Sequence, residues 1–168
     1  FREDGGFHIT EPHIEKNIDR IPYRSLVNAV DYRINRRNYT FLLASRGCPF
    51  HCAFCGKPAV PYRKRSLAAL EREVSDCLGL DIQAVDFEDD MLTLDLTYFR
   101  EVLELFKGTD LTLSAMNGIY SEGLDRGILE DMFSAGFRRL NFSLVDASRS
   151  VNDTQNRHFS ADFLGLLP

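Results

Sequence analysis

Three of the four cysteines in the chain stand within residues 45–55, whose sequence is SRGCPFHCAFC. Three residues separate Cys48 from Cys52, and two residues separate Cys52 from Cys55. Three thiolates this close cannot all pair as disulfides, but they can close around one metal centre. An iron–sulfur cube is commonly held by four cysteine thiolates, so three protein ligands would leave one iron open. Because an open position distinguishes a reacting metal site from a structural one, the spacing predicts a cluster that binds a ligand at its free iron.

This CxxxCxxC spacing, with the aromatic Phe54 directly before the last cysteine, resembles the signature of the radical S-adenosylmethionine enzymes. The resemblance implies that Cys48, Cys52 and Cys55 hold a four-iron, four-sulfur cluster and that Phe54 lies at the cofactor. It also implies that S-adenosylmethionine chelates the fourth iron through its amino and carboxylate groups. An electron donor of the flavodoxin or ferredoxin type would then drive cleavage to methionine and a 5′-deoxyadenosyl radical, which abstracts hydrogen from a substrate. The flanking residues 45–47 and Pro49 resemble more specifically the branch of the family that is associated with cobalamin-binding domains.

A zinc knuckle is the alternative interpretation of the three cysteines. Zinc takes four ligands in structural sites, so a fourth donor would be needed. The remaining thiol, Cys77, lies on a predicted helix with apolar neighbours, where it fits a small buried hydrophobic residue better. His51 lies between two of the cysteines and could join them only through a tight local turn, so we expect it to be solvated. We therefore prefer the iron–sulfur interpretation.

The composition is that of a soluble globular chain without a basic surface. The 168 residues are 44% hydrophobic and 27% charged, with a net charge of −5. A chain of this length can bury a real core, and its net charge offers no basic field for nucleic acid, so we expect a small-molecule substrate. No stretch approaches the ~20 apolar residues of a membrane span. Cysteines that cluster for metal, without a disulfide framework, indicate a reducing cytoplasm.

The first 38 residues show no sustained hydrophobic period, and we interpret them as a linker. Residues 17–23, NIDRIPY, resemble the segment that joins an upstream cobalamin-binding domain to the catalytic barrel in the cobalamin-associated branch. Cobalamin, if it is used, would bind in that absent domain. We assign residues 39–168 to the N-terminal part of the barrel. Because the chain begins at Phe1 and stops at Leu167-Pro168, we expect it to be a piece of a longer protein.

Apolar runs and helical spacing alternate along the rest of the chain. Strands are predicted at 39–44, 82–87, 111–115 and 137–144, with helices from Ser66 to Gly79, from Asp95 or Thr97 to Gly108, and from about Leu124 to Gly136. The inward stripes of the first and third helices include Leu78 and Phe133, and Leu144 lies on the apolar side of the fourth strand. Gly47 and Gly56 bracket the cysteine loop and permit backbone turns that a β-carbon would hinder. A further helix would be capped by Ser160. This alternation predicts an α/β fold with a parallel sheet. The family resemblance implies a partial (β/α) barrel of the TIM-like type, of which about the first four βα units are visible.

Sites in such sheets gather at the carboxyl ends of the strands. The cysteine motif, the acidic run Glu88–Asp90 and Asn117-Gly118 each follow a predicted strand, so we expect them to share one rim. The acidic run lies where many family members carry a Gly-Gly-Glu turn that binds the cofactor's amino group, and its sequence resembles a Phe-x-Asp-Asp-x-x-Thr variant. The resemblance assigns Asp90 to that amino group, with Asp89 in support. The alternative is an acidic cluster at the start of a helix.

Two further residues follow from the same resemblance. Asn117 would line the cofactor pocket from the turn after the third strand, and Ser143 would approach the cofactor from the fourth. Many relatives place a glutamate two residues after the latter position, where this chain has Val145. Lys57 and the tract Arg63–Arg65 could balance cluster or cofactor anions, or be solvated.

The motif predicts the radical step and leaves its outcome open, among methylation at an unactivated carbon, ring formation or another rearrangement. One alternative is a methylthiotransferase-like enzyme acting on tRNA or a ribosomal protein, since Arg63–Arg65 is similar to a basic tract of such enzymes. A second alternative, of another class, is a non-enzymatic metal-binding or electron-transfer module.

Overall fold

The computed structural model describes residues 2–3, 6–7, 13–20, 32–146, 148–157 and 165. These form a mixed α/β fold around a mostly parallel sheet of five strands. Nine strands are present in the described residues: Arg2–Glu3 (β1), Gly6–Phe7 (β2), Arg33–Ile34 (β3), Arg37–Leu42 (β4), Ser45–Arg46 (β5), Arg63–Lys64 (β6), Ala84–Phe87 (β7), Thr112–Ala115 (β8) and Phe137–Leu140 (β9). The strand order in the five-stranded sheet is β3-β4-β7-β8-β9, while β1 pairs with β2 and β5 pairs with β6.

Each crossover in the sheet carries one helix. Leu67–Gly79 (α1) connects β4 to β7 after the β5–β6 pair, Leu96–Glu104 (α2) connects β7 to β8, and Arg126–Ala135 (α3) connects β8 to β9. Each of these strands lies parallel to the next one and beside it. The predicted β-α-β-α-β-α-β order and the parallel sheet are therefore confirmed. The carboxyl ends of all four strands meet at one edge of the sheet, where a site is expected.

The helices begin where their capping residues predict. The Ser66 side chain accepts a hydrogen bond from the Ala69 amide at 3.2 Å, and Asp95 accepts one from Tyr98 at 3.0 Å. Asp125 caps α3 by accepting from the Ile128 amide at 2.8 Å. Asp95, rather than Thr97, is thus the cap of α2. Side-chain oxygens satisfy backbone donors that have no partner inside the helix, which fixes each starting point.

The core lies between the helices and one face of the sheet. Alternate strand residues point to that face, because side chains alternate along a strand; Leu42, Val85, Phe87, Leu113 and Ala115 are all buried there. The opposite face carries polar groups. Asp86 is buried on it and accepts hydrogen bonds from the Tyr39 hydroxyl at 3.1 Å and the Ser114 hydroxyl at 2.8 Å. No helix of the described residues is both long enough and apolar enough to cross a membrane.

The apolar stripes predicted for α1 and α3 each include one residue that the structure leaves exposed. Phe133, expected to point inward, is 64% exposed, and its ring lies 4.3 Å from the Arg138 guanidinium carbon. The buried stripe of α3 is Ile128, Met132 and Ala135, and Phe133 lies about 100° around the helix from Met132. Leu78 is exposed on α1 for the same reason.

The fourth parallel strand is shorter than predicted. It ends at Leu140, and Leu144, expected on its apolar side, is 49% exposed. The Asn141 amide still bonds to the Ala115 carbonyl at 2.9 Å, while the Asn141 side chain bonds to the Met116 carbonyl at 3.0 Å. Residues 141–144 therefore leave the sheet and cross its edge.

Several short elements of the described residues were not predicted: the β1–β2 pair, the β5–β6 pair, the β3–β4 hairpin and one helix. The hairpin of β3 and β4 turns through Asn35 and Arg36, both with positive φ, and without the glycine that usually marks such a turn. A short helix, Arg149–Thr154 (α4), follows β9. The helix predicted to begin at Ser160 lies outside the described residues.

Candidate functional site

Cys48, Cys52 and Cys55 lie on a closed loop that follows β4 and β5. The antiparallel pair β5–β6 joins the two ends of this cysteine loop (residues 47–62), with Ser45 opposite Lys64. The Val60 amide donates to the Cys48 carbonyl at 2.9 Å, which extends the closure. Gly47 has φ +99°, and a β-carbon there would lie 2.2 Å from the Pro61 carbonyl oxygen. Gly56, predicted to serve as a similar turn, has no positive φ and no atom near its missing β-carbon, so that prediction is wrong.

The thiols divide into two groups, as the sequence predicts. Cys48 and Cys52 are half-buried and Cys55 is exposed, whereas Cys77, on the buried face of α1, is part of the core. His51 is exposed, as expected. In the part of the chain that the structure describes, no three His, Cys, Asp or Glu side chains surround one metal-ion position. The donor set on the cysteine loop is nevertheless three accessible free thiols on one short segment, which is the chemistry that an iron–sulfur cluster requires.

The acidic turn (residues 88–90) after β7 holds the start of the cysteine loop. Asp89, only 1% exposed, accepts from the Ala44 amide at 3.1 Å and from both the amide and the hydroxyl of Ser45 at 2.5 Å. Asp90 accepts from the Gly47 amide and from the Lys57 ammonium, each at 2.9 Å. The two neighbouring carboxylates thus contact the segment between β4 and the first cysteine.

Their environments shift the pKa values of the two carboxyl groups in opposite directions. Burial raises the pKa of Asp89 to about 6, although three hydrogen bonds to its carboxylate oppose this shift. Burial also acts to raise the pKa of Asp90, but the Lys57 ammonium and the Gly47 amide outweigh it and leave that pKa below its usual range. Asp90 is therefore the more firmly ionised member of the pair.

The alternative interpretation of the acidic run as a helix-start cluster is wrong, because α2 begins six residues after Asp90 with Asp95 as its cap. The assignment of Asp90 and Asp89 to a cofactor amino group stays a prediction. The structure places both at a cavity.

That cavity, of about 700 Å³, opens at the carboxyl ends of β7, β8 and β9. Asp89, Asp90, Asn117 and Ser143 all contribute to its lining, so the structure brings these four predicted residues together. The Asn117 side-chain amide donates to the Glu88 carboxylate at 2.6 Å. Phe54 does not line the cavity; it lies on the cysteine loop and is 54% exposed. The lining carries charges of both signs: Glu88 and Asp90 with Arg46, Lys57 and Arg157.

The loops around the cavity are tied to one another. Gly118 has φ +74°, and a β-carbon there would lie 2.2 Å from the Asp89 carbonyl oxygen. The Thr93 hydroxyl donates to the Tyr120 carbonyl at 2.8 Å and accepts from the Tyr120 amide at 2.7 Å. The Tyr120 ring packs on Phe50 of the cysteine loop, with 5.3 Å between ring centroids. Contacts therefore connect the cysteine loop, the acidic turn and the Asn-Gly turn.

The segment after α4 reaches the same site from the far end of the described chain. The Ala53 amide donates to the Gln155 carbonyl at 2.9 Å, and the Asn156 side chain donates to the His51 carbonyl at 3.0 Å. Arg157 lines the cavity and donates to the Ser143 carbonyl at 3.2 Å, while its Nε is buried without a partner. Sequence reasoning missed these residues, because no motif marks them and the contacts of Gln155 and Asn156 with the cysteine loop span about a hundred positions.

The basic tract after the cysteine loop is paired within the protein. Lys64 lies 2.8 Å from the Asp95 carboxylate, and buried Arg65 pairs with Glu73 on α1 and with the Leu43 carbonyl. Arg63 donates to the carbonyl of Glu15. These partners, rather than a cluster or a cofactor, account for the tract.

The chain is similar in sequence to two methyltransferases. Nothing among the family models matches the chain. By sequence it is 28% identical over 114 residues to a cytidylyl-2-hydroxyethylphosphonate methyltransferase from Streptomyces wedmorensis, covering 66% of this chain and 21% of that protein. It is 25% identical over 161 residues to an uncharacterized methyltransferase from Pyrococcus horikoshii, covering 90% of this chain and 34% of that protein.

Two solved structures of the radical S-adenosylmethionine methyltransferase TsrM from Kitasatospora setae resemble the chain. One, with cobalamin and a [4Fe–4S] cluster bound, matches 74% of this chain with a TM-score of 0.62 at 16% identity. The other, with tryptophan substrate and the analogue aza-SAM bound, matches 73% with a TM-score of 0.61 at 15% identity. The matched residues share the fold of the corresponding part of TsrM. It covers 27% and 26% of the TsrM chains, so it spans about a fifth to a third of the length of all these relatives.

Proposed function

We propose that this chain forms the cluster- and cofactor-binding part of a radical S-adenosylmethionine methyltransferase. The observation that carries the proposal is the placement of three accessible thiols on a loop that is tied to a mixed-charge cavity at the carboxyl edge of the sheet. Cys48, Cys52 and Cys55 would hold a four-iron, four-sulfur cluster. When bound, that cluster would supply the electron that cleaves S-adenosylmethionine.

The charges around the cavity suit the methionine part of this cofactor, which carries an ammonium and a carboxylate. Asp90, ionised and on the cavity wall, is the proposed acceptor for the ammonium, and Asp89 supports it. Arg157 offers a buried Nε without a partner, to which a carboxylate could bind through a charge-assisted hydrogen bond. Asn117 and Ser143 add polar groups on the same wall. Phe54, on the cysteine loop, is the remaining residue that we assign to the cofactor.

The proposal extends to the fold and to the partners. The parallel strands follow one another in the sheet without a reversal of order, as in a barrel, so we assign residues 39–168 to the first βα units of a partial (β/α) barrel. Residues 1–38 would link it to a cobalamin-binding domain, and Asp19 in this segment accepts from the Ser66 amide at the start of α1. A small-molecule substrate, a flavodoxin- or ferredoxin-type electron donor and a cytoplasmic location complete the proposal.

A methylthiotransferase-like enzyme acting on RNA is less well supported. To bind RNA phosphates, the basic tract Arg63–Arg65 would have to break the Lys64–Asp95 and Arg65–Glu73 ion pairs. A non-enzymatic metal-binding module stays as the alternative that the experiment below must separate from the proposal.

The test is anaerobic reconstitution with iron and sulfide, followed by electron paramagnetic resonance of the reduced protein with and without S-adenosylmethionine. We expect a four-iron signal that shifts when the cofactor is added. Cys55→Ala should lose that signal, whereas the matched control Cys77→Ala, which alters the buried thiol, should keep it. A protein that binds zinc and resists reconstitution would overturn the proposal in favour of a structural metal site. A cluster whose electron paramagnetic resonance signal does not change when S-adenosylmethionine is added would favour an electron-transfer module.

A further inference from the structure

Asp89 makes contacts that a cofactor ligand does not need. All of its hydrogen-bond donors belong to Ala44 and Ser45, which lie between β4 and the first cysteine. The carboxylate is almost completely enclosed, so it presents no free oxygen to the cavity whose wall its residue shares. The side chain is therefore committed to the backbone that leads into the cysteine loop.

The same short segment is fixed from other sides. The Tyr98 hydroxyl on α2 donates to the Ala44 carbonyl at 2.9 Å, so both backbone polar groups of Ala44 are bound to side chains. Asp90 binds the Gly47 amide. The backbone of residues 44–47 is thus held in one conformation, and Cys48 is the next residue. Buried side-chain networks that are fully satisfied hold their partners in a single arrangement.

We propose that Asp89 is a positioning residue for the cluster ligands. It fixes the backbone at Ala44 and Ser45, so the cysteine loop starts from one place at the cavity before any metal binds. A site whose supporting residues are ordered in advance loses less conformational entropy when it binds its ligand. This inference rests on the proposed function for the identity of the ligand, but the fixed loop itself can be measured without metal.

The first experiment is amide hydrogen exchange on the metal-free 168-residue chain. Asp89→Asn keeps the size of the side chain but replaces one acceptor oxygen with an amide NH2, which must then face at least one of the existing donors on Ala44 and Ser45. We expect exchange at residues 44–47 to become faster by about tenfold or more, with the amides of β7 and β8 unchanged. Asp131→Asn, a matched change at a half-buried carboxylate on α3 that pairs with Arg100, should behave as the unaltered chain does. Unchanged protection of residues 44–47 in Asp89→Asn would overturn the proposal.

A second experiment connects the fixed loop to the cluster. We expect reconstituted Asp89→Asn to lose iron to a chelator faster than the unaltered protein, with Asp131→Asn matching the unaltered rate. Ser45→Ala, which removes one donor and keeps the carboxylate, should shift both readouts in the same direction by less; it replaces Asp89→Asn if that variant does not fold. Faster exchange with an unaltered rate of iron loss would overturn the positioning role. If the unaltered chain takes up no cluster, the proposed function fails, while the exchange experiment still decides whether Asp89 fixes the loop.

Discussion

At the scale of single residues, Asp89 shows how burial and hydrogen bonding compete at one carboxylate. Removing the group from water favours its neutral form, and three donors from Ala44 and Ser45 favour its charged form. Burial is the larger effect, since the pKa of Asp89 is raised to about 6. Its neighbour Asp90, half-buried beside the Lys57 ammonium, has a lowered pKa. Two adjacent residues of the same type therefore differ in charge between about pH 4 and pH 6.

The first prediction concerns the pH dependence of stability. Because the pKa of Asp89 is higher in the folded than in the unfolded chain, the folded state holds the proton more tightly. Its contribution to stability is present below about pH 4 and is lost as the pH rises through about 6. We expect the free energy of unfolding of the unaltered chain to fall relative to that of Asp89→Asn over this range, by about 2–3 kcal/mol. Urea unfolding at pH 4, 5, 6 and 7 measures the difference, and parallel curves would contradict it.

At the scale of elements, the connection from β6 into α1 is held by a buried ion pair. Arg65 leaves β6 and meets Glu73 inside α1, with side chains only 3% and 7% exposed. The Tyr98 hydroxyl shares its one hydrogen between the Arg65 carbonyl at 2.8 Å and the Ala44 carbonyl at 2.9 Å, which joins α2 to the same point. Adjacent Lys64 pairs with Asp95 at the surface, where its side chain is 44% exposed. Neighbouring residues thus offer a buried and a solvated ion pair for comparison.

The second prediction uses that comparison. Glu73→Ala leaves the Arg65 guanidinium buried without its charge partner, and such a change typically costs about 3–5 kcal/mol. Lys64→Ala removes an exposed partner and should cost no more than about 1 kcal/mol. Urea unfolding of both variants at neutral pH checks the difference. Equal losses would show that the buried pair is solvated in solution.

At the scale of the whole molecule, the cavity combines segments that are distant in the chain. Arg46 and Lys57 come from the cysteine loop and its base, Glu88 and Asn117 follow two central strands, and Arg157 follows α4. No single element forms the site. Its geometry depends on the parallel sheet, which places the ends of successive strands side by side.

The third prediction concerns Arg157, whose unpartnered Nε lies in this cavity. Under the proposed function, Arg157→Gln removes a charge-assisted hydrogen bond to the cofactor carboxylate. We expect the affinity of the reconstituted protein for S-adenosylmethionine to fall by about tenfold. Arg100→Gln, a change at an exposed arginine paired with carboxylates on α3, should leave the affinity unaltered. Equilibrium dialysis measures the affinity of each variant. An affinity of Arg157→Gln equal to that of the unaltered protein would show that Arg157 does not bind the cofactor.

Local signals in the sequence were sufficient for the order of the parallel strands and of the helices between them. Ser66 and Asp95 cap the helices that they were predicted to cap, and the alternation of apolar runs with helical spacing predicted the parallel sheet and the shared rim. These features depend on residues close together in the chain. Phe133 was misplaced because apolar residues at neighbouring helix positions cannot all face the core.

The site was predictable only in part. The cysteine spacing and the strand-end position of Asp89 and Asp90 are readable from the sequence. The burial of Asp89 could not be predicted from the sequence, because a run of three carboxylates has the composition of a solvated turn. Arg157 and Asn156 could not be found either, since their contacts to Ser143 and His51 depend on the assembled sheet.

The close approach of two loops to backbone carbonyls restricts how this protein can vary. At Gly47 the space for a β-carbon is filled by the Pro61 carbonyl, and at Gly118 it is filled by the Asp89 carbonyl. A mutation to any other amino acid at either position would have to displace main chain rather than a side chain. Homologous proteins that keep this cavity should therefore retain glycine at both positions even where the charged residues of the lining diverge. An alignment of such homologues would show two invariant glycines in a site of otherwise changing composition.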